Sequence, residues 1–596
     1  MKNYQPPLDD IHFCLDEFAD LLGLTTLPKF AELTPDLAAS ILVEAGRLAT
    51  AELAPLNVPG DRQGSRLENG VVVTPEGFRA AYAKFVAGGW NAVPFDPAYG
   101  GQGLPWSLAT ALQEMWGSAN LSFSLCPLLT QGAVELLLAH GTADQRHTYL
   151  PKLISGTWTG TMNLTEPQAG SDVGAIRCRA LPDGERYLIT GQKIFITYGD
   201  HDLAENIIHL VLARTPDAPP GSRGVSLFMV PKRLINAAGT PGPANDLRVV
   251  SLEHKLGIHA SPTCVMAYGD NGGAIGYLVG EENRGIEYMF TMMNNARLSV
   301  GLQGLSIAER SYQMARDYAL TRIQGRPIGA TSGETPIIGH PDVRRMLMTM
   351  RAQVEAIRAF AYFAAGALDR ARHHPDATAR SESQRLVDLL IPVVKGWSTE
   401  VGCESASLAI QVHGGLGFIE ETGVAQLYRD ARIAPIYEGT NGIQAIDLVG
   451  RKLMRDKGAA ARDFITGIRA SNYDLAAARH EDLSAIRAAL AEAATALARS
   501  TDWLIETHGA NPALALAGAS PYLRLFGTVA GGWLMAMAAL AAARRLAEGA
   551  EEQAFLTAKI VTARFYADNI LPQADGLTVQ ILRGGPPVLA LPADSF

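Results

Sequence analysis

The chain has 596 residues and a formal net charge of −9, with 47% hydrophobic and 19% charged residues. This composition excludes an intrinsically disordered chain, and the small acidic excess argues against a basic surface for nucleic acid. A single core rarely exceeds about 300 residues, so several domains are expected. The five cysteines include no CxxC pair, which argues against a disulfide framework or a cysteine zinc site. The N-terminal residues lack the apolar core of a signal peptide, and we expect a cytoplasmic protein.

Hydrophobic periodicity divides the chain into five segments. Residues 1–35 predict an N-terminal extension of short helices, and residues 36–157 predict a helical domain with apolar positions at three-and-four spacing. Residues 158–280 hold short β-branched runs separated by turn formers, which predict an antiparallel β-domain. Helical periodicity returns over residues 281–455 and continues through an alanine-rich additional domain, residues 456–596. The predicted fold class is therefore multidomain α+β.

Two classes of protein are disfavoured by the pattern. The run 525–543 is uncharged, but just over half of it is alanine or glycine, and it predicts a close-packed buried helix with no stable membrane insertion. No alternating βαβ units, no GxGxxG after a strand and no GxxxxGK[ST] loop are present, so a doubly wound nucleotide-binding fold is not expected.

Two segments of the predicted β-domain are suited to a flat ligand. MNLTEPQAGSD, residues 162–172, offers hydroxyls and a glycine that permits close backbone approach. GQKIFIT, residues 191–197, would place the ring of Phe195 and the hydroxyl of Thr197 on one face of a strand. Alone, the first segment is as easily an ordinary turn, and the second more often carries a core aromatic.

Two further segments lie among the predicted C-terminal helices. QVHGGLG, residues 411–417, exposes backbone N–H groups that suit a phosphate, although a glycine pair ending a helix is commoner. YEGTNGIQ, residues 437–444, places Glu438 beside a glycine in apolar surroundings. Burial there can raise the pKa of its carboxyl and favour a general base, but a helix beginning after Gly439 would make the glutamate a cap.

In order and spacing, these four segments resemble the flavin-dependent acyl-CoA dehydrogenases over residues 36–455. YGGQGLP at residues 99–105, the helix that begins RLSVGLQGL at Arg297, and YRDARI ending at Ile433 add to the resemblance. YQPPLDD near the start, HPDVRRMLM, GIQAIDLVGRK and the additional domain are similar to a long branch, the 3-(methylthio)propanoyl-CoA dehydrogenases. The resemblance implies an N-terminal helical domain, a central antiparallel β-domain, a C-terminal four-helix bundle and the additional helical domain.

The resemblance also implies FAD as the cofactor. Thr197 would bind near flavin N5, Phe195 would stack where many relatives have tryptophan, and Arg322 with Gln324 would reach the FAD of a neighbouring subunit. The sequence from Arg322 is RIQGRPI, whereas many relatives have phenylalanine and glycine after the glutamine. The implied cofactor-binding residues are Met162, Leu164, Thr165, Ser171, Phe195, Thr197, Arg322, Gln324, Gln411, Gly414, Gly415, Thr440 and Asn441.

For the chemistry, the resemblance implies Glu438 as the catalytic base, and no metal. The implied substrate-contacting residues are Ser171, Asn294, Arg297, Glu438 and Gly439. Relatives often carry aspartate where Asn294 stands, and Arg297 is equally readable as a buried ion-pair partner.

The resemblance implies α,β-dehydrogenation of an acyl-CoA to the trans-2-enoyl-CoA. The branch suggests 3-(methylthio)propanoyl-CoA going to methylthioacryloyl-CoA in dimethylsulfoniopropionate breakdown, with an electron-transfer flavoprotein as acceptor and a homodimer as the assembly. The alternatives are a short- or medium-chain acyl-CoA dehydrogenase, an acyl-CoA oxidase that uses O₂, and a catalytically silent scaffold that binds flavin or CoA.

Overall fold

The computed structural model describes residues 4–328 and 335–596. The N-terminal part is helical, as its periodicity predicts, and a two-stranded hairpin (β1–β2) interrupts it. Its helices are α1 (Leu8–Cys14), α2 (Leu21–Leu24), α3 (Pro35–Leu48), α4 (Ala54–Gln63), α5 (Phe78–Ala87), α6 (Trp106–Ala119), α7 (Leu121–His140) and α8 (Ala143–Ser155).

The strands follow the predicted change of texture. They are β1 (Arg66–Glu68), β2 (Val71–Val73), β3 (Trp158–Asn163), β4 (Arg179–Asp183), β5 (Arg186–Thr197), β6 (Asn206–Ala213), β7 (Ser226–Pro231), β8 (Arg233–Ile235), β9 (Pro241–Ala244), β10 (Leu247–Leu252), β11 (Thr263–Tyr268) and β12 (Ala274–Leu278).

Eight of these strands form one sheet, in the order β10-β11-β5-β12-β7-β6-β3, with β4 also paired to β5. Every residue of β6 and β7 is buried, which fits their continuous apolar sequences. The sheet is antiparallel as predicted except at its β3 edge, where β3 runs parallel to β6 with Trp158 opposite Asn206. That parallel pair follows from the long connection between the two strands, which carries β4 and β5.

The rest of the chain is helical. Its helices are α9 (Gly285–Thr321), α10 (Pro341–His373), α11 (Ala377–His413), α12 (Val424–Ala431), α13 (Asn441–Ile446), α14 (Ala459–Ala477), α15 (Glu481–Ala510), α16 (Pro512–Ala517), α17 (Ala519–Ala547), α18 (Gln553–Asn569), α19 (Gln573–Arg583) and α20 (Gly585–Ala590).

The chain forms two compact units. The helical unit contains residues 1–43, 106–114 and 300–596, and the sheet unit contains residues 44–105 and 115–299. The helical unit therefore joins the N-terminal extension to the helices that follow the β-domain, and it includes the whole additional domain.

Helix α17 is the central helix of the additional domain and packs against α10 and α11. Glycines permit this approach, because a Cβ at Gly527 would lie 2.3 Å from the indole of Trp397, and one at Gly531 would lie 2.7 Å from the same ring. Helices α7 and α17 both have the length and composition of a membrane span, and 89% of the apolar window of each is buried. The prediction that residues 525–543 form a close-packed buried helix is confirmed.

Within the helical unit, buried and half-buried ion pairs connect the N-terminal extension to the later helices. Lys559 of α18 binds both Asp10 and Glu355, and Arg545 of α17 lies 2.5 Å from Glu17. The backbone of the extension also approaches α10 closely, since a Cβ at Gly366 would lie 2.5 Å from the carbonyl oxygen of Ala19. These contacts connect the first helices of the chain to its last domain.

Candidate functional site

The first predicted ligand-binding segment follows strand β3 in the sheet unit. Met162, Leu164 and Thr165 are half-buried. The carbonyl oxygen of Leu164 accepts a hydrogen bond from Lys193 Nζ at 2.8 Å, and that of Thr165 accepts one from the Ile194 amide at 2.9 Å. This segment is therefore fixed beside β5, and the structure brings the first and second predicted segments together.

A buried ion pair fixes the same region, and the sequence did not indicate it. Lys193 Nζ lies 2.8 Å from Glu166 Oε1, and both side chains are at most 3% exposed. Glu166 also accepts hydrogen bonds from the amides of Arg177 and Cys178, at 2.6 and 3.1 Å. Burial acts to raise the pKa of Glu166, but the Lys193 ammonium and these hydrogen bonds hold it at about 2.

Strand β5 is irregular at Phe195. Two β5 residues, Ile194 and Phe195, lie opposite the single residue Val265 of β11, and Phe195 has φ of 60°. Such a bulge re-aims a side chain, and the ring of Phe195 is 57% exposed. Beyond the bulge the register is regular, with Ile196 opposite Cys264 and Thr197 opposite Thr263, and the placement of Phe195 and Thr197 on one strand face stays a prediction.

The remaining positions of the sheet unit differ in exposure. Ser171 is exposed in the loop after β3, and half-buried Thr197 accepts a hydrogen bond on its carbonyl oxygen from Thr161 Oγ1 at 2.8 Å. Asn294 lies in α9, but its side chain is outside the described residues. Arg297 is 4% exposed with its guanidinium 5.8 Å from the ring centroid of Phe290, a cation–π contact.

In the helical unit, Glu438 lies in the turn between α12 and α13. Glu438 and Gly439 have consecutive positive φ angles of 57° and 83°. The left-handed region is costly for a glutamate, and such strain is retained only where the surroundings fix it. Glu438 is half-buried and its Oε2 atom is buried, so one of the two carboxylate oxygens is withdrawn from water.

Two fully buried side chains fix this turn. Gln444 Nε2 donates to the carbonyl oxygens of Glu438 and Gly439, each at 3.2 Å, and Lys395 Nζ donates to the Gly439 oxygen at 2.8 Å. Lys395 and Gln444 are both 0% exposed. The only sequence signal for Lys395 is a single lysine within the apolar run LLIPVVKGW of α11.

The residues after Glu438 have structural contacts of their own. Thr440 Oγ1 accepts a hydrogen bond from the Ile443 amide at 3.2 Å and caps α13. Asn441 Nδ2 donates to the Gly396 oxygen at 3.0 Å, while Asn441 Oδ1 accepts from Lys395 Nζ at 2.9 Å. The cap of this helix is thus Thr440, and Glu438 is left for another role.

The other predicted FAD positions of the helical unit are exposed. Arg322 and Gln324 follow α9, with Arg322 Nη2 donating to Gln324 Oε1 at 3.2 Å. Gln411, Gly414 and Gly415 are exposed at the end of α11, and a Cβ at either glycine would meet nothing within 4 Å. These side chains and this open backbone are exposed and can contact a ligand at the surface of the unit.

Residues of each unit, taken separately, fit one part of an FAD molecule. The exposed Phe195 ring suits a planar heterocycle, and the open glycine backbone after α11 suits a phosphate or sugar. Within residues 4–328 and 335–596, no group of three or more His, Cys, Asp or Glu side chains is arranged to hold a metal ion.

Family models match almost the whole chain. The acyl-CoA dehydrogenase N-terminal, middle and C-terminal domains match residues 44–157, 161–270 and 283–454. A model described as acetyl-CoA dehydrogenase C-terminal like matches residues 460–592. The predicted fold class, including the additional helical domain, is confirmed.

Individual relatives are similar over nearly their full length. A 3-methylmercaptopropionyl-CoA dehydrogenase from Ruegeria pomeroyi is 52% identical, over 95% of this chain and 96% of the relative. A butyryl-CoA dehydrogenase from Syntrophomonas wolfei is 34% identical, over 100% of this chain and 99% of the relative. The crystal structure of an acyl-CoA dehydrogenase from Bacillus anthracis complexed with FAD shares the fold, with a TM-score of 0.75, 20% identity and coverage of 96% of this chain and 91% of that one. On this evidence, the chain belongs to the acyl-CoA dehydrogenase family.

Proposed function

We propose that this protein catalyses the α,β-dehydrogenation of an acyl-CoA thioester, with Glu438 as the base. The observation that carries the proposal is the Glu438–Gly439 turn, which has two consecutive positive φ angles, a buried carboxylate oxygen and hydrogen bonds from Lys395 and Gln444. A carboxylate withdrawn from water and held in a fixed direction is suited to remove a weakly acidic α-proton.

FAD is the cofactor. When bound, it supplies the two-electron acceptor for the hydrogen that leaves the β-carbon. Glu438 takes the α-proton, and its amide N–H is proposed to donate to the thioester oxygen and so to stabilise the negative charge that develops there. The proposed FAD contacts include Arg322 and Gln324, and the proposed substrate contacts include Asn294.

The proposed substrate is 3-(methylthio)propanoyl-CoA. The Ruegeria relative named for this thioester, at 52% identity over 95% of the chain, supports it. The second candidate is a short straight-chain acyl-CoA, which the butyryl-CoA dehydrogenase at 34% identity supports. Anaerobic bleaching of the bound flavin with methylthiopropanoyl-, butanoyl-, octanoyl- and phenylpropanoyl-CoA tests both. A limiting rate for butanoyl-CoA above that for methylthiopropanoyl-CoA would contradict the first choice.

Glu438→Gln tests the base directly. The amide keeps the size of the side chain but cannot take a proton, so we expect FAD and thioester to bind while flavin reduction slows by about 10²- to 10⁴-fold. The matched control is Glu420→Gln, which removes an exposed carboxylate that pairs with Arg429 at 2.9 Å, and it should reduce flavin at the wild-type rate. Flavin reduction by Glu438→Gln at the wild-type rate would exclude Glu438 as the base.

The proposed electron acceptor is an electron-transfer flavoprotein, and the proposed assembly is a homodimer in the cytoplasm. The domain limits 36–157, 158–280, 281–455 and 456–596 are part of this proposal. Turnover in air-equilibrated buffer distinguishes the oxidase alternative, because an oxidase would release hydrogen peroxide in proportion to the thioester consumed. Sedimentation of the FAD-loaded protein tests the dimer.

A further inference from the structure

We propose that the additional C-terminal domain positions the catalytic turn, with Lys395 as the positioning residue that connects them. This inference rests on the proposed function, in which Glu438 is the base. The connection runs from α17 of the additional domain, through α11, to the turn that carries Glu438. All of its residues belong to the helical unit.

The first step is the contact between Lys395 and the turn. The fully buried Lys395 ammonium donates to the Gly439 carbonyl oxygen at 2.8 Å and to Asn441 Oδ1 at 2.9 Å. A buried ammonium is costly unless its hydrogen-bonding capacity is used, so these bonds are strongly directional. They fix the Gly439–Thr440 peptide, one residue beyond Glu438, while Gln444 holds the Glu438–Gly439 peptide through the Glu438 carbonyl oxygen. The direction of the carboxylate depends on both peptides.

The second step is the lateral support of Asn441. The two N–H groups on its Nδ2 atom are shared among three acceptors, the Gly396 carbonyl oxygen at 3.0 Å, Thr399 Oγ1 at 3.1 Å and Glu400 Oε1 at 3.3 Å. The amide is thereby held by one turn of α11 on its nitrogen side and by Lys395 on its oxygen side. This arrangement fixes the orientation of the amide and leaves its oxygen as the acceptor for the ammonium.

The third step is the contact with the additional domain. Arg524 of α17 lies 2.6 Å from Glu404 and 4.0 Å from Glu400, the residue that accepts from Asn441. Next to it, Leu523 packs at Gly396, where a Cβ would lie 2.8 Å from the leucine side chain. Helix α17 therefore contacts α11 at the residue that follows Lys395 and also holds the carboxylate beside Asn441.

These contacts give the additional domain a role in catalysis without placing it in contact with the substrate. A catalytic group must be held within about 0.5 Å of its productive position, and supporting side chains supply that precision. The left-handed conformation of Glu438 would otherwise relax, because it is unfavourable for a residue with a side chain. The buried lysine, the amide and α17 together hold the turn against that relaxation.

The test compares Lys395→Met and Arg524→Met in the full-length, FAD-loaded protein. Met replaces the apolar part of the lysine side chain, lacks the terminal ammonium and donates no hydrogen bond. With 3-(methylthio)propanoyl-CoA and butanoyl-CoA as probes, we expect Lys395→Met to lower the limiting rate of anaerobic flavin reduction by about 10- to 100-fold. The apparent dissociation constant should change by less than about threefold, because the loss falls on the chemical step. Arg524→Met should lower the same rate by a smaller factor, about three- to tenfold.

The matched control is Arg545→Met. Arg545 lies in the same helix, α17, and makes an ion pair of the same kind with Glu17, at 2.5 Å. Its ion pair and its cation–π contact are with Glu17 and Phe13 of the N-terminal extension, so its loss should lower the unfolding temperature while leaving flavin reduction at the wild-type rate. An equal loss of rate in Arg545→Met would mean that general destabilisation is the cause, and it would overturn the proposal.

Wild-type flavin reduction in both Lys395→Met and Arg524→Met would also overturn it. If Lys395→Met does not fold, Arg524→Met decides alone, because its side chain is only half-buried. Glu438→Gln is measured alongside. Flavin reduction by that variant would reject the proposed function itself, whereas its inactivity together with fully active Lys395→Met and Arg524→Met would reject only the positioning role.

Discussion

The ammonium of Lys559 lies 3.1 Å from the carboxylate of Glu355, and both side chains are at most 5% exposed. Lys559 comes from α18 of the additional domain and Glu355 from α10, and Asp10 of the N-terminal extension binds the same ammonium. Burial acts to lower the pKa of Lys559, but the two carboxylates raise it, so the charge is retained in the core. One buried cation thus connects three segments of the chain.

We therefore expect Lys559→Met to destabilise the protein by about 3 to 5 kcal/mol, because two carboxylates lose a buried partner. Chemical denaturation at neutral pH measures this. The double variant Lys559→Met/Asp10→Asn should recover part of the loss, since the Asp10 carboxylate that has lost the ammonium is then neutral, whereas Glu355 keeps its ion pair with Arg351 at 2.8 Å. A loss in Lys559→Met similar to that of an exposed ion pair, about 0 to 1 kcal/mol, would contradict the expectation.

The buried pair Glu166–Lys193 predicts a dependence of stability on pH. The pKa of Glu166 is about 2 in the folded protein and about 4.5 as its ordinary value, so its stabilisation is complete above about pH 4.5 and is lost as the pH falls toward 2. Glu166→Gln should cost about 3 kcal/mol at neutral pH. The difference from wild type in urea denaturation should shrink from about pH 5 to about pH 3. A difference that is constant with pH would contradict the assignment.

Arg322 tests the proposed FAD contact across subunits. Its guanidinium is exposed on this chain, next to Gln324. In Arg322→Ala, the loss of a guanidinium–phosphate contact should weaken FAD retention by about tenfold or more. Flavin absorbance after gel filtration measures the FAD that is retained. Arg344→Ala, an exposed arginine of α10, is the control and should retain its FAD. Full FAD occupancy in Arg322→Ala, or an equal loss in the control, would contradict the contact.

Two glycines of the helical unit predict opposite effects of the same substitution. In Gly527→Ala the new Cβ would lie 2.3 Å from Trp397, and the overpacking should cost about 1 to 3 kcal/mol. In Gly467→Ala, on α14, the Cβ meets nothing within 4 Å, and the gain in helix propensity should stabilise by about 0.4 to 1 kcal/mol. Thermal unfolding measures both, and a stabilised Gly527→Ala would show that α17 does not pack against α11 at this point.

The order of segments could be predicted from the sequence because it depends on local pattern. Apolar spacing of three and four marks a helix, and short β-branched runs between turns mark strands, wherever they pack. The buried helix around residues 525–543 followed in the same way, from a high content of alanine and glycine without charge. Glu438 could be proposed as the base because the YEGT segment stands in the order and spacing of the family that the chain resembles.

Other features could not be predicted, because their cause is distant in sequence. The parallel pairing of β3 with β6 depends on where the chain returns, and the bulge that exposes Phe195 depends on how β5 meets β11. Lys395 is 44 residues from the carbonyl oxygen it binds, and a hydrogen bond over that separation leaves no periodic trace in the sequence.

The amino-acid sequence by itself determined which residues form helices and strands, because local pattern encodes both, and its resemblance to a family indicated which carboxylate to propose as the base. The tertiary structure alone decided how that carboxylate is held, since the buried ammonium, the amide and the helix of the last domain come together only when distant segments pack.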